Sequence, residues 1–415
     1  MTQRILVVTP FYLPAWRGGG PIRSLAAMVE QHGDRHDFCV LTSAFDWGEA
    51  TPLPLSEDAR RGDWVPVGRA LVQYVPIRGA SELRDRRARN AFSAAWRSAA
   101  GSRGPDITYL NGVFPPLWTI APLTLRRLGR LRLGQVVIAP RGEFSPGALE
   151  IKWRKKQAFL AQARMLGLFR GVVWHASTDL EAAEIHAILP DARVVVRENE
   201  TELPPRAWRS AEAGTHTDRT PNAEPATQEL SAPRALRVLY LGRLSPKKGV
   251  DVLLSALRDV NAPVEVTIAG SAAEADHLAH LRELGEAAKR AGHAVSFVGP
   301  VEHDRVDEMF RTHDVFVFPT AGENFGHSIA ESLANGCPVM VTARATPWTE
   351  AAHIGGGRTV GSRAPADWAR AIDDFAADGP QAWARSREAA ADTYDAWRSS
   401  RPTESVFDLI DLPQR

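Results

Sequence analysis

The sequence has few cysteines and no long apolar run. Only Cys39 and Cys337 are present, 298 positions apart and without a Cys-x-x-Cys pair, which excludes a disulfide scaffold and a cysteine-based zinc site. No stretch of about 18 or more apolar residues occurs, so we expect no membrane-spanning helix. Residues 1–10 lack a small-residue cleavage site and end in a proline, which predicts a first strand, no secretion signal and a cytoplasmic location.

The composition is typical of a soluble globular protein, with 44% hydrophobic and 24% charged residues. These values exclude collagen-like, coiled-coil and wholly disordered chains. A chain of 415 residues is too long for one ordinary core, so we expect two domains of roughly 150 to 200 residues each.

The two halves of the chain differ in charge, although the net charge is only +1. Residues 1–200 carry 27 basic and 19 acidic side chains, and the remainder carries 23 and 30. The basic excess indicates an anionic partner, with a phospholipid surface, a diphosphate-bearing substrate and nucleic acid as candidates. No nucleic-acid-binding motif accompanies the charge, so we expect no nucleic acid partner. The alternative is that the basic excess of residues 1–200 reflects an arginine-rich composition and no anionic partner.

Short apolar runs alternate with helical patterns twice along the chain. The first series runs from residues 5–9 to 194–196, and the second from 238–241 to 339–342. This alternation predicts an α/β fold with two Rossmann-like, doubly wound domains.

The predicted domain boundaries follow from changes in composition. Residues 1–200 are predicted to form an N-terminal domain, and residues 235–385 a C-terminal domain. Residues 201–234 are rich in Thr, Ala, Glu and Pro, which predicts a mobile linker or excursion. Residues 386–415 continue in a helical pattern and are predicted to pack back toward the N-terminal domain.

A glycine cluster, Gly18 to Gly20, follows the first predicted strand and precedes Pro21, a residue suited to the first turn of a helix. Consecutive glycines let backbone amides approach a phosphate at the positive end of that helix, so Gly19 and Gly20 are candidate binding positions. A flexible turn without a ligand gives the same pattern.

The most specific motif is GENFGHSIAE, residues 322–331, which follows a predicted strand. Gly326 permits close backbone approach where a helix begins, and parallel strands open toward a ligand at this end. Glu323 in the loop and Glu331 in the helix could each accept hydrogen bonds from ligand hydroxyls. Ser328 and Glu331 also have the spacing of a helix capping box, which needs no ligand.

A second motif is GRLSPKKG, residues 242–249, directly after the strand 238–241. Arg243 and Lys248 flank a turn and can converge on a diphosphate, one as a planar fork and the other as a point charge. The motif is not a P-loop, whose lysine precedes Ser or Thr. Solvated loop cations are the alternative.

The two motifs together resemble the signature motifs of retaining GT-B glycosyltransferases of the group 1 (family 4) kind, including the spacing of Glu323 and Glu331. With the glycine cluster and the two-domain pattern, the likeness covers nearly the whole chain. The resemblance implies two domains facing across a cleft, with residues 1–200 as the acceptor-side domain and 235–385 as the nucleotide-sugar-binding domain. It also implies a UDP-, GDP- or ADP-sugar as donor substrate and no cofactor.

The resemblance also implies roles for residues. Arg243 and Lys248 would bind the diphosphate and Glu323 the donor sugar, which makes these three the candidate catalytic residues, and Glu331 would bind the ribose. Residues 297–301 match the loop that places backbone against the base. The donor-binding set implied in this way is Gly19, Gly20, Arg243, Lys248, Gly299, Val301, Glu323, Asn324, Phe325, Gly326 and Glu331.

Members of this family are metal-independent, and this sequence has neither Asp-x-Asp nor a convincing His and carboxylate set, so we predict no metal. Breaking the bond from the anomeric carbon to the diphosphate puts negative charge on the leaving group, which fixed cations and a helix N-terminus stabilise. In the family, retention is explained by front-face attack in which the departing phosphate helps to deprotonate the acceptor.

The chain departs from the family at two histidine motifs. Many relatives have H-x-H-G and P-H-G where this chain has YLNG at 109–112 and PRG at 140–142. Asn111, Arg141 and Glu143 are therefore candidate acceptor-side residues for positioning, with a local ion pair of Arg141 and Glu143 as the alternative. We assign no general base.

The segment 151–169 combines basic and aromatic residues. A basic amphipathic helix can lie on an anionic leaflet, here the inner face of the cell membrane, and a helix that only covers the sheet is the alternative. The candidate membrane contacts are Lys152, Trp153, Arg154, Lys155 and Lys156.

The sequence thus predicts a retaining, metal-independent glycosyltransferase, a hexosyltransferase or related enzyme, that acts on a glycan or lipid-linked acceptor in polysaccharide or glycolipid biosynthesis. One alternative is a non-catalytic sugar-nucleotide-binding protein. Another is a glycoside hydrolase that uses Glu323 and Glu331 about 5 to 10 Å apart. The diphosphate motif argues against the hydrolase, because a neutral glycan offers no diphosphate.

Overall fold

The computed structural model describes residues 2–101, 104–150, 153–209, 234–272 and 274–410. The chain forms two compact units, one from Met1–Glu202 with Thr403–Arg415 and the other from Leu203–Pro402. Most of the predicted linker, residues 210–233, lies outside the described residues.

The first unit is built on an eight-stranded sheet with the order β3-β4-β2-β1-β5-β6-β7-β8. All neighbouring strands are parallel except β3, which runs antiparallel to β4. The central strands are apolar on both faces because helices cover both sides. The strands are β1 (Gln3–Val8), β2 (His36–Ser43), β3 (Val65–Val67), β4 (Ala70–Val75), β5 (Ile107–Asn111), β6 (Gln135–Ala139), β7 (Val172–Ala176) and β8 (Arg193–Val196).

Seven α-helices are assigned within the described part of the first unit. Several begin at a polar side chain that caps them; the Thr178 hydroxyl, for example, accepts from the Glu181 amide at 3.1 Å. The helices are α1 (Gly20–His32), α2 (Glu57–Arg61), α3 (Arg86–Ala100), α4 (Ala121–Arg127), α5 (Pro146–Glu150), α6 (Trp153–Met165) and α7 (Asp179–Ile188), with a 3-10 turn at Ala80–Arg84 and a π turn at Pro116–Ile120.

The second unit is built on a six-stranded parallel sheet with the order β11-β10-β9-β12-β13-β14. The strands are β9 (Leu236–Leu241), β10 (Val264–Ala269), β11 (Ala294–Gly299), β12 (Val315–Phe318), β13 (Val339–Thr342) and β14 (Gly357–Val360). The helices are α8 (Val250–Ala256), α9 (Ala275–Arg290), α10 (His303–Thr312), α11 (His327–Ala334), α12 (Thr349–Ala351), α13 (Pro365–Ala377) and α14 (Gly379–Ser400), with a 3-10 turn at Pro246–Lys248 and a π turn at Ala352–Gly356.

In both sheets the strand order reverses at the first strand, so that later strands are added on both sides of it. In the first sheet β1 lies between β2 and β5, and in the second β9 lies between β10 and β12. The loops at the carboxyl ends of such strands diverge and leave a crevice for a ligand. The expectation of two doubly wound α/β domains is confirmed. None of the helices in the described ranges combines the length and the apolar composition needed to cross a bilayer.

The predicted C-terminal segment 386–415 is divided between the units. Its helical part belongs to α14, a 22-residue helix of the second unit whose Tyr394 hydroxyl donates to the Pro204 carbonyl at 2.5 Å. The described residues after Pro402 belong to the first unit, where the buried Phe407 ring lies 5.8 Å from the ring of Tyr109.

Candidate active site

An ion pair joins the two sequence motifs of the second unit. The Lys248 ammonium lies 2.7 Å from both carboxylate oxygens of Glu323, and the Thr320 hydroxyl donates to the same carboxylate at 2.7 Å. The two charged side chains are 19% and 8% exposed, so a ligand that enters the loop can reach Lys248 while Glu323 is held in place. The structure therefore brings together the residues expected at the diphosphate and at the donor sugar.

Backbone contacts hold the loops after β9, β12 and β13 against one another. The Ala321 amide donates to the Lys247 carbonyl at 2.8 Å, and the Glu323 amide donates to the Ala345 carbonyl at 2.7 Å. Gly249 has φ +76°, and a Cβ at this position would lie 2.0 Å from the Pro319 carbonyl oxygen. Only glycine fits here, because any side chain would separate the loops that carry Lys248 and Glu323.

Arg363, which the sequence analysis did not single out, clamps the same loops. It lies beyond the end of β14 and donates to the Pro319 carbonyl at 2.9 Å and to the Pro246 carbonyl at 3.0 Å. No local signal marks this arginine, because its partners lie 44 and 117 positions away. The sequence could have indicated Arg363 only through the general rule that the loops after parallel strands meet at one edge of the sheet.

Arg243 is exposed at the start of the first motif, where the Tyr240 hydroxyl donates to its backbone carbonyl at 3.2 Å. Burial raises the pKa of Tyr240 well above its ordinary value, so this hydroxyl stays a donor. The Tyr240 hydroxyl thus fixes the backbone of the loop that carries the Arg243 guanidinium, and this loop lies at the same edge of the sheet as Lys248.

Phe325 and Gly326 shape the start of α11. The Phe325 ring is buried, and the Trp348 indole N–H donates to its carbonyl at 2.6 Å. Gly326 caps the helix with φ +85° and without a side-chain hydrogen bond, so the capping-box interpretation of Ser328 and Glu331 is wrong. The Phe325 side chain therefore anchors the loop in the core, and Trp348 is a supporting residue that the sequence analysis missed.

The other predicted donor residues lie as follows. Glu331 is buried on α11, and Asn324 is half-buried in the loop before it. Gly299 ends β11 with φ +75° and open space around the position of a Cβ, and Val301 is half-buried beyond it. Their part in donor binding stays a prediction.

In the first unit, Gly19 is the N-cap of α1, and the helix begins at Gly20 with Pro21 in its first turn. The loop before them is held by the buried Asp46, whose carboxylate accepts from the Trp16 amide at 3.1 Å. Asp46 is 30 positions away along the chain, and no sequence signal pointed to it. The contribution of Gly19 and Gly20 to donor binding stays a prediction.

Arg141 follows β6 with a left-handed backbone, φ +55°. Its Nε donates to the Asn111 amide oxygen at 2.9 Å, one terminal nitrogen donates to the Tyr109 hydroxyl at 3.0 Å, and the other donates to the Asn199 amide oxygen. Glu143 instead accepts from the amides of Val113 and Phe114 at 2.5 and 3.2 Å. The alternative of an ion pair between Arg141 and Glu143 is therefore wrong.

His175 is a buried histidine that the sequence analysis did not single out, although it stands as the one ionisable residue in the apolar run VVWHA of β7. Its Nε2 lies 2.7 Å from the Arg197 carbonyl, which can only accept, so Nδ1 accepts from the Tyr109 hydroxyl at 2.6 Å. Burial and the charge of Arg141 lower the pKa of His175 to about 4. The imidazole is thus neutral at physiological pH and has both nitrogens occupied.

Glu200 and Glu143 are two acidic groups of this region whose pKa values are shifted. Burial alone would raise the pKa of Glu200, but the hydrogen bond from His32 and the neighbouring basic groups together hold the pKa below its ordinary value. Burial raises the pKa of Glu143, while its two backbone amide partners oppose that shift. Both carboxylates therefore serve internal contacts.

The basic helix α6 has features of a helix that contacts a membrane and features of a helix that only covers the sheet. Leu160 and Ala163 are buried beneath it, as expected of a helix that covers the sheet. Trp153, Arg154 and Lys155 are exposed. The two remaining candidate contacts differ from these: the ammonium of Lys156 donates to the Ala148 carbonyl at 2.6 Å, and Lys152 lies outside the described residues.

Among the described residues, no group of three or more His, Cys, Asp or Glu side chains could hold a metal ion.

Residues 225–392 match the family described as "Glycosyl transferases group 1". The D-inositol 3-phosphate glycosyltransferase of Mycolicibacterium gilvum is 32% identical over 167 residues, which cover 39% of this chain and 37% of that protein. The mannosylfructose-phosphate synthase of Agrobacterium fabrum is 32% identical over 112 residues, 25% of each chain. The matched region thus spans little more than a third of the first of these relatives.

Two solved structures share the fold along nearly the whole chain. HepE of Anabaena, in complex with UDP and glucose, is 18% identical with a TM-score of 0.63, covering 96% of this chain and 95% of that chain. Sucrose-phosphate synthase of Thermosynechococcus elongatus is 17% identical with a TM-score of 0.68, covering 95% and 94%. At these identities the likeness concerns the fold alone.

Proposed function

We propose that this protein is a retaining glycosyltransferase, because residues 225–392 match the group 1 glycosyltransferase family and the chain has the GT-B fold. It transfers a sugar from a nucleotide-sugar to a glycan or lipid-linked acceptor in polysaccharide or glycolipid biosynthesis. The observation that carries the proposal is the pair of Lys248 and Glu323 at the carboxyl ends of β9 and β12.

The donor fits this pair by charge and by hydrogen bonding. A diphosphate brings oxygens that Lys248 and the exposed Arg243 can bind with charge-assisted hydrogen bonds. A sugar brings hydroxyl groups, which Glu323 can accept while Thr320 and Lys248 keep its carboxylate in position. UDP-glucose is the first donor to test, because HepE, which shares the fold, has been solved in complex with it.

In the proposed reaction the bond from the anomeric carbon to the diphosphate oxygen breaks, and its electron pair stays on the diphosphate. The acceptor oxygen forms its new bond on the same face of the sugar, and its proton passes to the departing phosphate. Arg243 and Lys248 stabilise the charge that develops on the leaving group, which is the work a divalent ion would otherwise do. We therefore propose that the reaction needs no added metal.

The acidic and basic groups of the first unit support a mechanism without a protein base there. Both ring nitrogens of His175 are occupied by Tyr109 and Arg197, and its low pKa makes it a poor proton acceptor at neutral pH. Glu143 is committed to two backbone amides. A base drawn from these residues would first have to break its internal hydrogen bonds.

The proposal is tested with the full chain and a panel of UDP-, GDP- and ADP-sugars. A ligand at 100 times its dissociation constant stabilises the folded protein by about 2.7 kcal/mol, which thermal unfolding detects easily. Lys248→Ala and Arg243→Ala should weaken binding of the responding nucleotide, while Lys289→Ala, a change to an exposed lysine paired with Glu286 on α9, should not. Equal affinity in all variants would remove both cations from the site.

Turnover is followed as release of nucleoside diphosphate with a mixture of glycan and lipid-linked acceptors in excess EDTA. We expect activity to persist, and NMR of the product should show the anomeric configuration of the donor. Activity that is lost in EDTA and restored by magnesium or manganese would contradict the metal-free mechanism. Nucleotide binding without turnover on any acceptor would favour the non-catalytic alternative.

We further propose that the acceptor is reached at an anionic membrane surface through the exposed start of α6. Trp153, Arg154 and Lys155 lie together at this end, where two cations can approach anionic headgroups and an indole can insert at the interface. The exposed Met165 and Leu166 lie at the other end of the helix and add apolar surface.

A further inference from the structure

The guanidinium of Arg141, in the first unit, donates hydrogen bonds to neutral groups. We call Tyr109, Asn111, Arg141 and Asn199 the Arg141 cradle. Arg141 donates to one oxygen of each of the other three. These oxygens belong to two carboxamides and a phenol, and none of them carries a negative charge. The cradle therefore positions the guanidinium without neutralising it.

The neighbouring hydrogen bonds keep the three partners of Arg141 uncharged. The Tyr109 hydroxyl donates to His175, and His175 donates in turn to the Arg197 carbonyl. Burial raises the pKa of Tyr109, so the phenol does not supply an anion. The nearby carboxylates have other partners: Glu181 accepts from the Gly142 amide at 2.7 Å, and Glu200 pairs with His32 at 3.3 Å. In the described part of the chain, no carboxylate oxygen lies within 4.0 Å of Arg141.

Arg141 has hydrogen-bonding capacity left over. A guanidinium carries five N–H donors, and the three contacts of the cradle use one on each nitrogen. Within the described ranges, one N–H on each terminal nitrogen remains without a protein acceptor. Arg141 is half-buried, so the residue keeps some exposure to solvent. Two N–H groups on a planar cation suit two oxygens of one oxyanion.

The backbone at this position also indicates a functional constraint. Arg141 has φ +55°, a region that L-residues with long side chains rarely occupy. Glycine would adopt it without strain, yet the chain carries an arginine here and anchors the next residue, Gly142, to Glu181. The guanidinium is thus held by a strained backbone and by three hydrogen bonds before any ligand arrives.

We propose that the Arg141 cradle binds an oxyanion carried by the acceptor sugar, either a phosphate monoester or a carboxylate. The cradle lies in the first unit, whereas the proposed diphosphate site belongs to Arg243 and Lys248 of the second. The assignment to the acceptor rests on the proposed function, but the binding of the oxyanion itself does not.

The test uses the full chain with saturating UDP, which fills the proposed diphosphate site. Calorimetry compares glucose 6-phosphate and glucuronate with glucose, their neutral counterpart. Wild type should bind one of the charged sugars at least about tenfold more tightly than glucose. Arg141→Gln should lose this preference. Arg87→Gln, a matched change to an exposed arginine of α3, should keep it.

A second variant guards against misfolding. Arg141→Gly removes the guanidinium and leaves a residue that prefers the observed backbone, so it should fold and should also lose the preference. A preference for glucose 6-phosphate identifies a phosphorylated acceptor, and a preference for glucuronate identifies a uronate.

The proposal is overturned if wild type binds neither charged sugar more tightly than glucose, or if both Arg141 variants keep the preference. It is also overturned if UDP affinity falls in the Arg141 variants, because the guanidinium would then belong to the donor. Failure of wild type to bind any nucleotide would contradict the proposed function instead. The charged sugars, titrated without UDP, would still report on the cradle.

Discussion

Replacing Lys248 by methionine tests the link between the stability of the site and its affinity for the donor. The change leaves the Glu323 carboxylate, 8% exposed, with Thr320 as its remaining side-chain donor. Removing one partner of a buried ion pair costs about 3 to 5 kcal/mol, and we expect about 3 kcal/mol because Lys248 retains some exposure. For a domain of this size, the midpoint of thermal unfolding of the second unit should fall by roughly 6 to 12 °C.

The double variant Lys248→Met with Glu323→Gln separates pairing from packing. Since it leaves no uncompensated charge, it should recover at least about half of the lost stability. Nucleotide affinity should not recover, because a charge-assisted hydrogen bond to phosphate, worth about 1.5 to 3 kcal/mol, is missing in both variants. Urea unfolding gives the stability, and calorimetry with UDP gives the affinity. If the single and double variants are equally unstable, or if UDP binds both as tightly as wild type, the reasoning fails.

The remaining predictions concern a loop, a histidine and a surface. Gly249→Ala should lower the free energy of unfolding by at least about 2 kcal/mol and abolish UDP binding, because its Cβ would overlap the Pro319 carbonyl. Gly299→Ala has a similar φ and open space around its Cβ, so it should lower the free energy of unfolding by only about 1 kcal/mol. Urea unfolding measures the stability of both variants, and calorimetry measures their affinity for UDP. Between about pH 6.5 and 4 the unfolded chain binds a proton that the folded His175 does not. Stability should therefore fall by about 2 kcal/mol from pH 7 to pH 5, and a His175→Gln variant that keeps the full slope in urea unfolding would contradict this. Arg154→Glu with Lys155→Glu should abolish sedimentation with anionic vesicles at low salt, since each cation contributes about 1 kcal/mol to membrane binding. Two arginine-to-glutamate changes on α3 should leave sedimentation unchanged. If the wild-type protein does not sediment with these vesicles, α6 is only a helix that covers the sheet.

Much of the fold could be predicted from local patterns. Apolar runs with helical patterns between them predicted parallel sheets with helices on both faces. In such a doubly wound sheet the loops after β9 and β12 lie at one edge. Residue types indicated chemistry within each loop, so Lys248 and Glu323 could be named without knowing that they touch. The capping-box prediction was wrong because Gly326, with its positive φ, is the N-cap of α11, two residues before Ser328.

The sequence by itself determined which segments form strands, where glycine must stand, and which loops carry charge, since these depend on neighbours a few positions away. Only the tertiary structure decided which groups pair. Lys248 meets Glu323 across 75 positions, Arg363 reaches Pro246 across 117, and Arg141 meets Asn199 across 58. A hydrogen bond forms or fails within a few tenths of an ångström, and that distance is set by how helices and sheets pack together. The neutral hydrogen-bond partners of Arg141, on which its proposed role depends, come together only in the folded chain.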